Sequence, residues 1–188
     1  MRFVISFVLV CFATSTGSAE PIAFVQAGGE TGSGTYTNTY SGIHLDGGHR
    51  LYRWLWLHGH LGFGRLGTVD LAISGQYSVR DYQEARMGLE ARTCTRGGRA
   101  CFVGGLDAGI HHLDEYNYAD NFLGMVHDPA HSTGVVIGRI GGDFGGRNIR
   151  VRPMLEFGFG DVMSEDPTPF ALLHVNRFGA SVGVAYQW

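Results

Sequence analysis

The residues that invite a chemical reading first are the nine histidines. His58-Gly59-His60 places two imidazoles on one face of a strand, because strand side chains alternate with period two. Two such imidazoles can serve as metal ligands, with Glu90 or Asp107 completing the set. Trp54 and Trp56 share the parity of both histidines, which fits interior packing better than a metal centre. Neither a metal nor a cofactor is assigned. His131-Ser132 sets a base beside a nucleophile, with Thr133 next. Adjacent strand residues face opposite ways, so these two do not form a nucleophile–base pair. His111-His112 divides between the two faces in the same way. Gly141-Gly142-Asp143-Phe144-Gly145-Gly146 is followed by no Lys-Ser or Lys-Thr and is not a phosphate loop. No catalytic residue is assigned. Cys94 and Cys101 are different: if the intervening turn is symmetric about Gly97-Gly98, they sit directly opposite one another, close enough for a disulfide.

The elements that must hold these residues are strands. Eight segments alternate with period two: Pro21–Gly29, Arg50–Gly64, Thr68–Val79, Glu84–Cys94, Cys101–His112, His131–Phe144, Asn148–Gly160 and Val175–Trp188. No helical period of any length interrupts them. Connections after the first, fifth and seventh are long and polar: Glu30–His49, Leu113–Ala130 and Asp161–His174. Those after the second, fourth and sixth are tight: Arg65-Leu66-Gly67, Thr95–Ala100 and Gly145-Gly146-Arg147. The short Arg80-Asp81-Tyr82-Gln83 connection breaks this alternation. Charge sorts with length. The longer connections and that short one carry Glu30, Asp46, Asp81, Asp114, Glu115, Asp120, Asp128, Asp161, Glu165 and Asp166, whereas the tight turns carry Arg65, Arg96, Arg99 and Arg147.

Within strands, Ala85, Met87, Leu89 and Ala91 alternate with Glu84, Arg86, Gly88, Glu90 and Arg92. Ile149, Val151, Pro153, Leu155, Phe157 and Phe159 alternate with Arg150, Arg152, Met154, Glu156 and Gly158. Val69, Leu71, Ile73 and Tyr77 oppose Asp70, Ser74 and Gln76 in the same manner. Glycine is abundant at 30 residues, net charge is -3, mean hydropathy is +0.00 and lysine is absent. This balance suits an all-β chain with one apolar and one polar face, and gives no basis for binding nucleic acid. Arg2, the apolar run Phe3–Phe12 and Gly17-Ser18-Ala19 read as a secretory signal peptide over residues 1–19, which leaves one domain, 20–188. Cys11 leaves with the signal.

The final strand alternates Phe178, Ala180, Val182, Val184, Tyr186 and Trp188 with Gly179, Ser181, Gly183, Ala185 and Gln187. Ser181, Gly183, Tyr186 and Trp188 resemble the C-terminal insertion signal of bacterial outer-membrane barrels. With the export signal, strand count and loop asymmetry, the chain resembles the small eight-stranded OmpA/OmpX-type barrels. The resemblance implies an eight-stranded antiparallel up-and-down transmembrane β-barrel, inserted by the barrel assembly machinery. It implies contact with outer-membrane lipid and lipopolysaccharide, a monomer, and tight turns in the periplasm.

A charge facing lipid at mid-depth costs about 2–4 kcal/mol, so the charged parity must face the lumen. His58, His60, Glu90, Asp107, Arg139, Arg152 and Glu156 are expected in its middle layer. Asp143 is expected opposite Arg150, with Arg139 diagonal to Arg152 and Glu156. Such a lumen would be closed by ion pairs, leaving an extracellular ligand to the loops. The alternatives are a lipid A-modifying enzyme and a narrow solute channel. Lipid A deacylases, among barrels of this size, have His and Ser two apart followed by Asn; His131-Ser132-Thr133 departs from that pattern.

Overall fold

Strands with charges on one parity and large apolar residues on the other must bring the charged faces together, away from the apolar surroundings of the outer wall. Closing the sheet on itself does this and leaves no unpaired edge. The structure, a computed structural model, describes residues 23–34, 39–70, 76–120, 124–159 and 175–188. In chain order the strands are β1 Ala23–Gly34, β2 Thr39–Arg50, β3 Leu55–Asp70, β4 Gln76–Cys94 and β5 Ala100–Leu113. They continue as β6 Tyr116–Asp120, β7 Gly124–Asp128, β8 His131–Gly145, β9 Ile149–Phe159 and β10 Val175–Gln187. Eight of them form a closed antiparallel barrel in the order β1-β10-β9-β8-β5-β4-β3-β2, while β6 and β7 make a separate hairpin between β5 and β8. β10 closes the barrel against β1, with Val25 opposite Tyr186 and Gly28 opposite Gly183.

The strand count of eight agrees with the sequence, but by compensating differences. Thr39–Arg50 is a full strand rather than part of a long connection. Its outward side chains include only two large apolar ones, Ile43 and Leu45, and its remaining glycines and polar residues resemble a loop. Conversely, Thr68–Asp70 finishes β3 and Gln76–Val79 begins β4, so Thr68–Val79 is not a strand of its own. Arg80–Gln83 lies inside β4, and Arg65-Leu66-Gly67 lies inside β3. The turn that joins β2 to β3 is Leu51-Tyr52-Arg53-Trp54, whose aromatic composition hides it from a search for turn residues. The side chains of Asp70 and Gln76, together with Leu71, Ile73 and Ser74, lie outside the described residues, as do the signal segment and the whole of Asp161–His174.

The hairpin between β4 and β5 follows the expected register. Cys94 faces Cys101, Arg92 faces Val103 and Glu90 faces Gly105, and the cysteines are joined as a disulfide. Thr95 and Gly98 close the turn, the Gly98 N–H donating to the Thr95 carbonyl at 2.8 Å. Gly98 has φ +64°, a left-handed conformation in which glycine avoids a Cβ clash. Residues 20–188 should therefore present no reactive thiol in denaturant without reductant. Reducing the bridge should lower stability by about 2–3 kcal/mol, the lower end of the range for a short loop, measured by urea unfolding with and without reductant.

Candidate functional site

The barrel interior is lined by the charged parity of every strand. Glu90 is at its centre and wholly buried, accepting from three guanidinium groups: Arg92 at 2.6 Å, Arg152 at 2.8 Å and Arg139 at 3.4 Å. Asp107 receives Arg139 at 2.7 Å, and Asp143 lies 3.4 Å from Arg92 and 3.5 Å from Arg150. Toward the outer end, Glu84 meets Arg86 at 2.8 Å, His111 at 2.9 Å and Arg177. Glu156 meets Arg86 at 3.2 Å and Arg177 at 4.0 Å. Burial of a charge is tolerable only when it is paired in this way.

The histidines join the same interior. His60 Nδ1 is 2.7 Å from Asp46, and His58 bridges Asp46 at 3.6 Å and Asp107 at 3.4 Å. Glu30 accepts from the Tyr82 hydroxyl and lies 3.6 Å from His60. Among the described residues, no group of three or more His, Cys, Asp or Glu side chains could hold a metal ion. Buried aromatic and apolar residues flank the charges: Phe24, Trp56 and Ala185 form a cluster on the terminus side, and Tyr40, Leu66, Tyr82 and Leu113 one on the outer side. Arg92 stacks over Trp56 at 3.9 Å and Arg177 over Tyr40 at 4.1 Å, so the aromatic clusters and the charges are in direct contact.

All nine interior residues expected from the sequence are buried. Their partners differ. Arg139 stands directly opposite Glu156, and Arg150 opposite Gly145, two places from the expected register. Arg139 nevertheless pairs with Asp107 on adjacent β5 and with Glu90 on β4, one strand further round the barrel, rather than with Glu156. Glu30 and Asp46 are buried interior acids instead of loop acids, and Trp54 is exposed in its turn while Trp56 points inward. The sequence reading passed over His44, Tyr40 and Asp46 because they lie on the unrecognised second strand. Tyr82 and Arg177 escaped it for other reasons, the first having been placed in a turn and the second on the weakly alternating start of β10.

The outer wall carries the opposite parity. Ile43, Leu45, Leu106, Ile110, Val182 and Val184 are large, apolar and about half exposed or more, and the terminal strand adds Phe178 and Tyr186. In that strand Gly183 is buried, Ser181 is intermediate, and Tyr186 stacks on Trp188 with ring centres 6.1 Å apart.

One further cluster lies on the outside, near the outer end. Ser132 on β8 is the direct cross-strand partner of His112 on β5. Its Oγ is 2.8 Å from His112 Nδ1, and His112 Nε2 is 3.5 Å from Asp114 Oδ1. The histidine beside Ser132 is thus His112 from the neighbouring strand and not its chain neighbour His131.

Solved structures with the same architecture give the barrel its setting. Ail, the attachment invasion locus protein of Yersinia pestis, matches with a TM-score of 0.56 at 12% identity, over 90% of this chain and 99% of that one. Its complex with the heparin analogue sucrose octasulfate matches with a TM-score of 0.57 at 14% identity, with the same coverage. Neisserial surface protein A matches with a TM-score of 0.52 at 11% identity, over 88% and 95% of the two chains. The fold is that of the small eight-stranded outer-membrane β-barrels. At this identity the likeness extends to the fold alone. No protein-family model matches the sequence, and no curated sequence matches it either.

Proposed function

We propose that this chain is an exported outer-membrane barrel with a lumen closed by ion pairs, acting as a structural or surface-interaction protein through its outer loops. The observation that carries the reading is the inversion of its faces. Among the described residues the ion-paired clusters around Glu90 and Glu84 are buried inside, while an apolar belt covers the wall, the reverse of a soluble barrel. An interior occupied by paired charges and flanked by aromatic clusters leaves the rim as the place for function. Ser181, Gly183, Tyr186 and Trp188 fit the strand that the assembly machinery would read, and the apolar wall fits contact with membrane lipid and lipopolysaccharide.

The β6–β7 hairpin joins β5 to β8, and the sequence of residues 114–128 has Asp114, Glu115, Asp120 and Asp128, three aromatic residues (Tyr116, Tyr118, Phe122) and no lysine or arginine. One of the similar Ail structures holds a polyanion. The acidic rim of this chain favours the opposite chemistry, a cationic partner surface, in adhesion or host-factor binding. Replacing residues 116–128 by a short glycine turn should leave the barrel heat-modifiable on gels after extraction from outer membranes. It should also remove binding of the displaying cells to an immobilised oligo-arginine peptide. A protein absent from the outer-membrane fraction, or binding that survives the replacement, would overturn the reading.

A further inference from the structure

The outer wall changes character near the outer end of the barrel. On β4, Leu89, Met87 and Ala85 give way to Gln83 and Asp81; on β3, Leu61 and Phe63 give way to Arg65. On β5, Leu106 and Ile110 give way to His112, and on β8, Ile140, Val136 and Gly134 give way to Ser132. The register places these switch points beside each other, Phe63 opposite Gln83, Gln83 opposite His112 and His112 opposite Ser132. In a bilayer this step marks the boundary between acyl chains and headgroups, where the ester bonds of membrane lipids lie.

At that boundary we propose a hydrolytic site in which Ser132, His112 and Asp114 cleave carboxylic esters of lipids in the outer leaflet. This rests on the outer-membrane reading above. The Ser132–His112 separation of 2.8 Å is within reach for proton transfer from a nucleophile to its base. The required tautomer leaves Nδ1 free to accept the Ser132 proton and keeps a proton on Nε2, facing the Asp114 carboxylate at 3.5 Å. His112 lies on β5 and Asp114 immediately beyond its end, and both side chains are well exposed (39% and 47%). Space for a substrate exists on both sides. An added Cβ at Gly134 meets nothing within 4 Å, so an acyl chain can lie along the wall beside Ile110 and Gly134. On the aqueous side, an open cleft of about 740 Å³ is lined by Arg65 and Arg80 together with Asp81, Asp114 and Glu115, with Arg65 3.5 Å from Asp81, and this polar space can receive a headgroup.

The reaction balances as ester hydrolysis. Ser132 Oγ attacks the carbonyl carbon while its proton passes to His112 Nδ1. The bond from that carbon to the alcohol oxygen breaks, and the imidazolium returns the proton to the leaving alkoxide. An acyl group remains on Ser132. Water, deprotonated by His112, then attacks the acyl carbon, the carboxylic acid leaves, and the proton returns to Ser132. Asp114 is a positioning residue that holds the ring and balances the imidazolium.

The test uses the full-length protein with its fold verified by heat-modifiable migration. It is reconstituted in vesicles of phospholipid alone and of phospholipid with lipopolysaccharide, and released fatty acid is measured by mass spectrometry. A water-soluble fluorophosphonate, which loses fluoride to a reactive serine, is applied in parallel. We expect release from at least one vesicle type and label on Ser132; the arm that reacts identifies the lipid. Ser132→Ala should abolish both signals, and His112→Ala should lower the rate about 100-fold or more. Asp114→Ala should lower it about tenfold, with recovery in Asp114→Glu, which a merely structural role for Asp114 would not produce. A folded barrel that neither takes label nor releases fatty acid overturns the site, as does undiminished turnover in Ser132→Ala. Loss of the heat-modifiable band strikes the membrane reading instead, since the soluble label reports on Ser132 independently of a bilayer.

Discussion

Glu90→Ala should destabilise the barrel by about 3–5 kcal/mol, measured by urea unfolding of protein inserted in lipid vesicles. The carboxylate accepts from Arg92, Arg139 and Arg152 at 2.6–3.4 Å in a fully buried position. Its removal leaves three guanidinium groups sharing Asp107 and Asp143, in a medium where an uncompensated charge is expensive. Glu90→Gln keeps the shape and two hydrogen-bonding atoms but not the charge, and should lose less than Glu90→Ala. Losses below about 1 kcal/mol for Glu90→Ala would mean that water already solvates these charges, as at an exposed ion pair.

Gly88→Ala should largely abolish assembly, with the folded, heat-modifiable band falling more than tenfold. Gly88 takes the inward parity of β4, directly opposite Asp107 on β5. A methyl group there would overlap the Leu106 backbone carbonyl and the Asp107 backbone, so the two strands would have to part. Side-chain adjustment cannot relieve a clash with backbone, and the overpacking penalty should reach about 3 kcal/mol or more. Gly59→Ala provides the control. It lies on the outer wall, its added Cβ 3.9 Å from the nearest atom, and should assemble normally. Equal assembly of the two variants would show that the interior has more room than its packing implies.

How much of this was legible depended on whether information lay within one strand or between strands. The alternation of β4 and β9 fixed which residues face inward, because a charge in lipid is costly enough to settle the parity. The disulfide was legible for the same reason: its two cysteines flank one short turn, and the register follows from the turn. Across the Gly145–Arg147 hairpin the expected register was displaced by two residues, because Gly145 belongs to β8 and Asn148 to the turn, which shifts the turn along the chain by one residue. The pairs themselves were less legible still. Arg139 faces Glu156 on the next strand yet bonds to Glu90 and Asp107, a choice set by side-chain reach across a curved wall. β2 was missed because its inward positions are Tyr40, Gly42, His44, Asp46 and Gly48, a loop-like composition that becomes sensible only inside a narrow barrel. Ser132 and His112 are twenty residues apart in sequence and meet only through the β5–β8 register, which β6 and β7 interrupt.

The proposed closure of the interior by its own charges is decided by single-channel recording of the purified, folded barrel in a planar bilayer. The ion pairs around Glu90 and Glu84, flanked by Phe24 and Trp56 on one side and by Tyr40, Leu66 and Tyr82 on the other, predict a membrane that conducts no more than the bare bilayer. Steady, large openings that persist across voltages would contradict the closed interior and make the protein a channel.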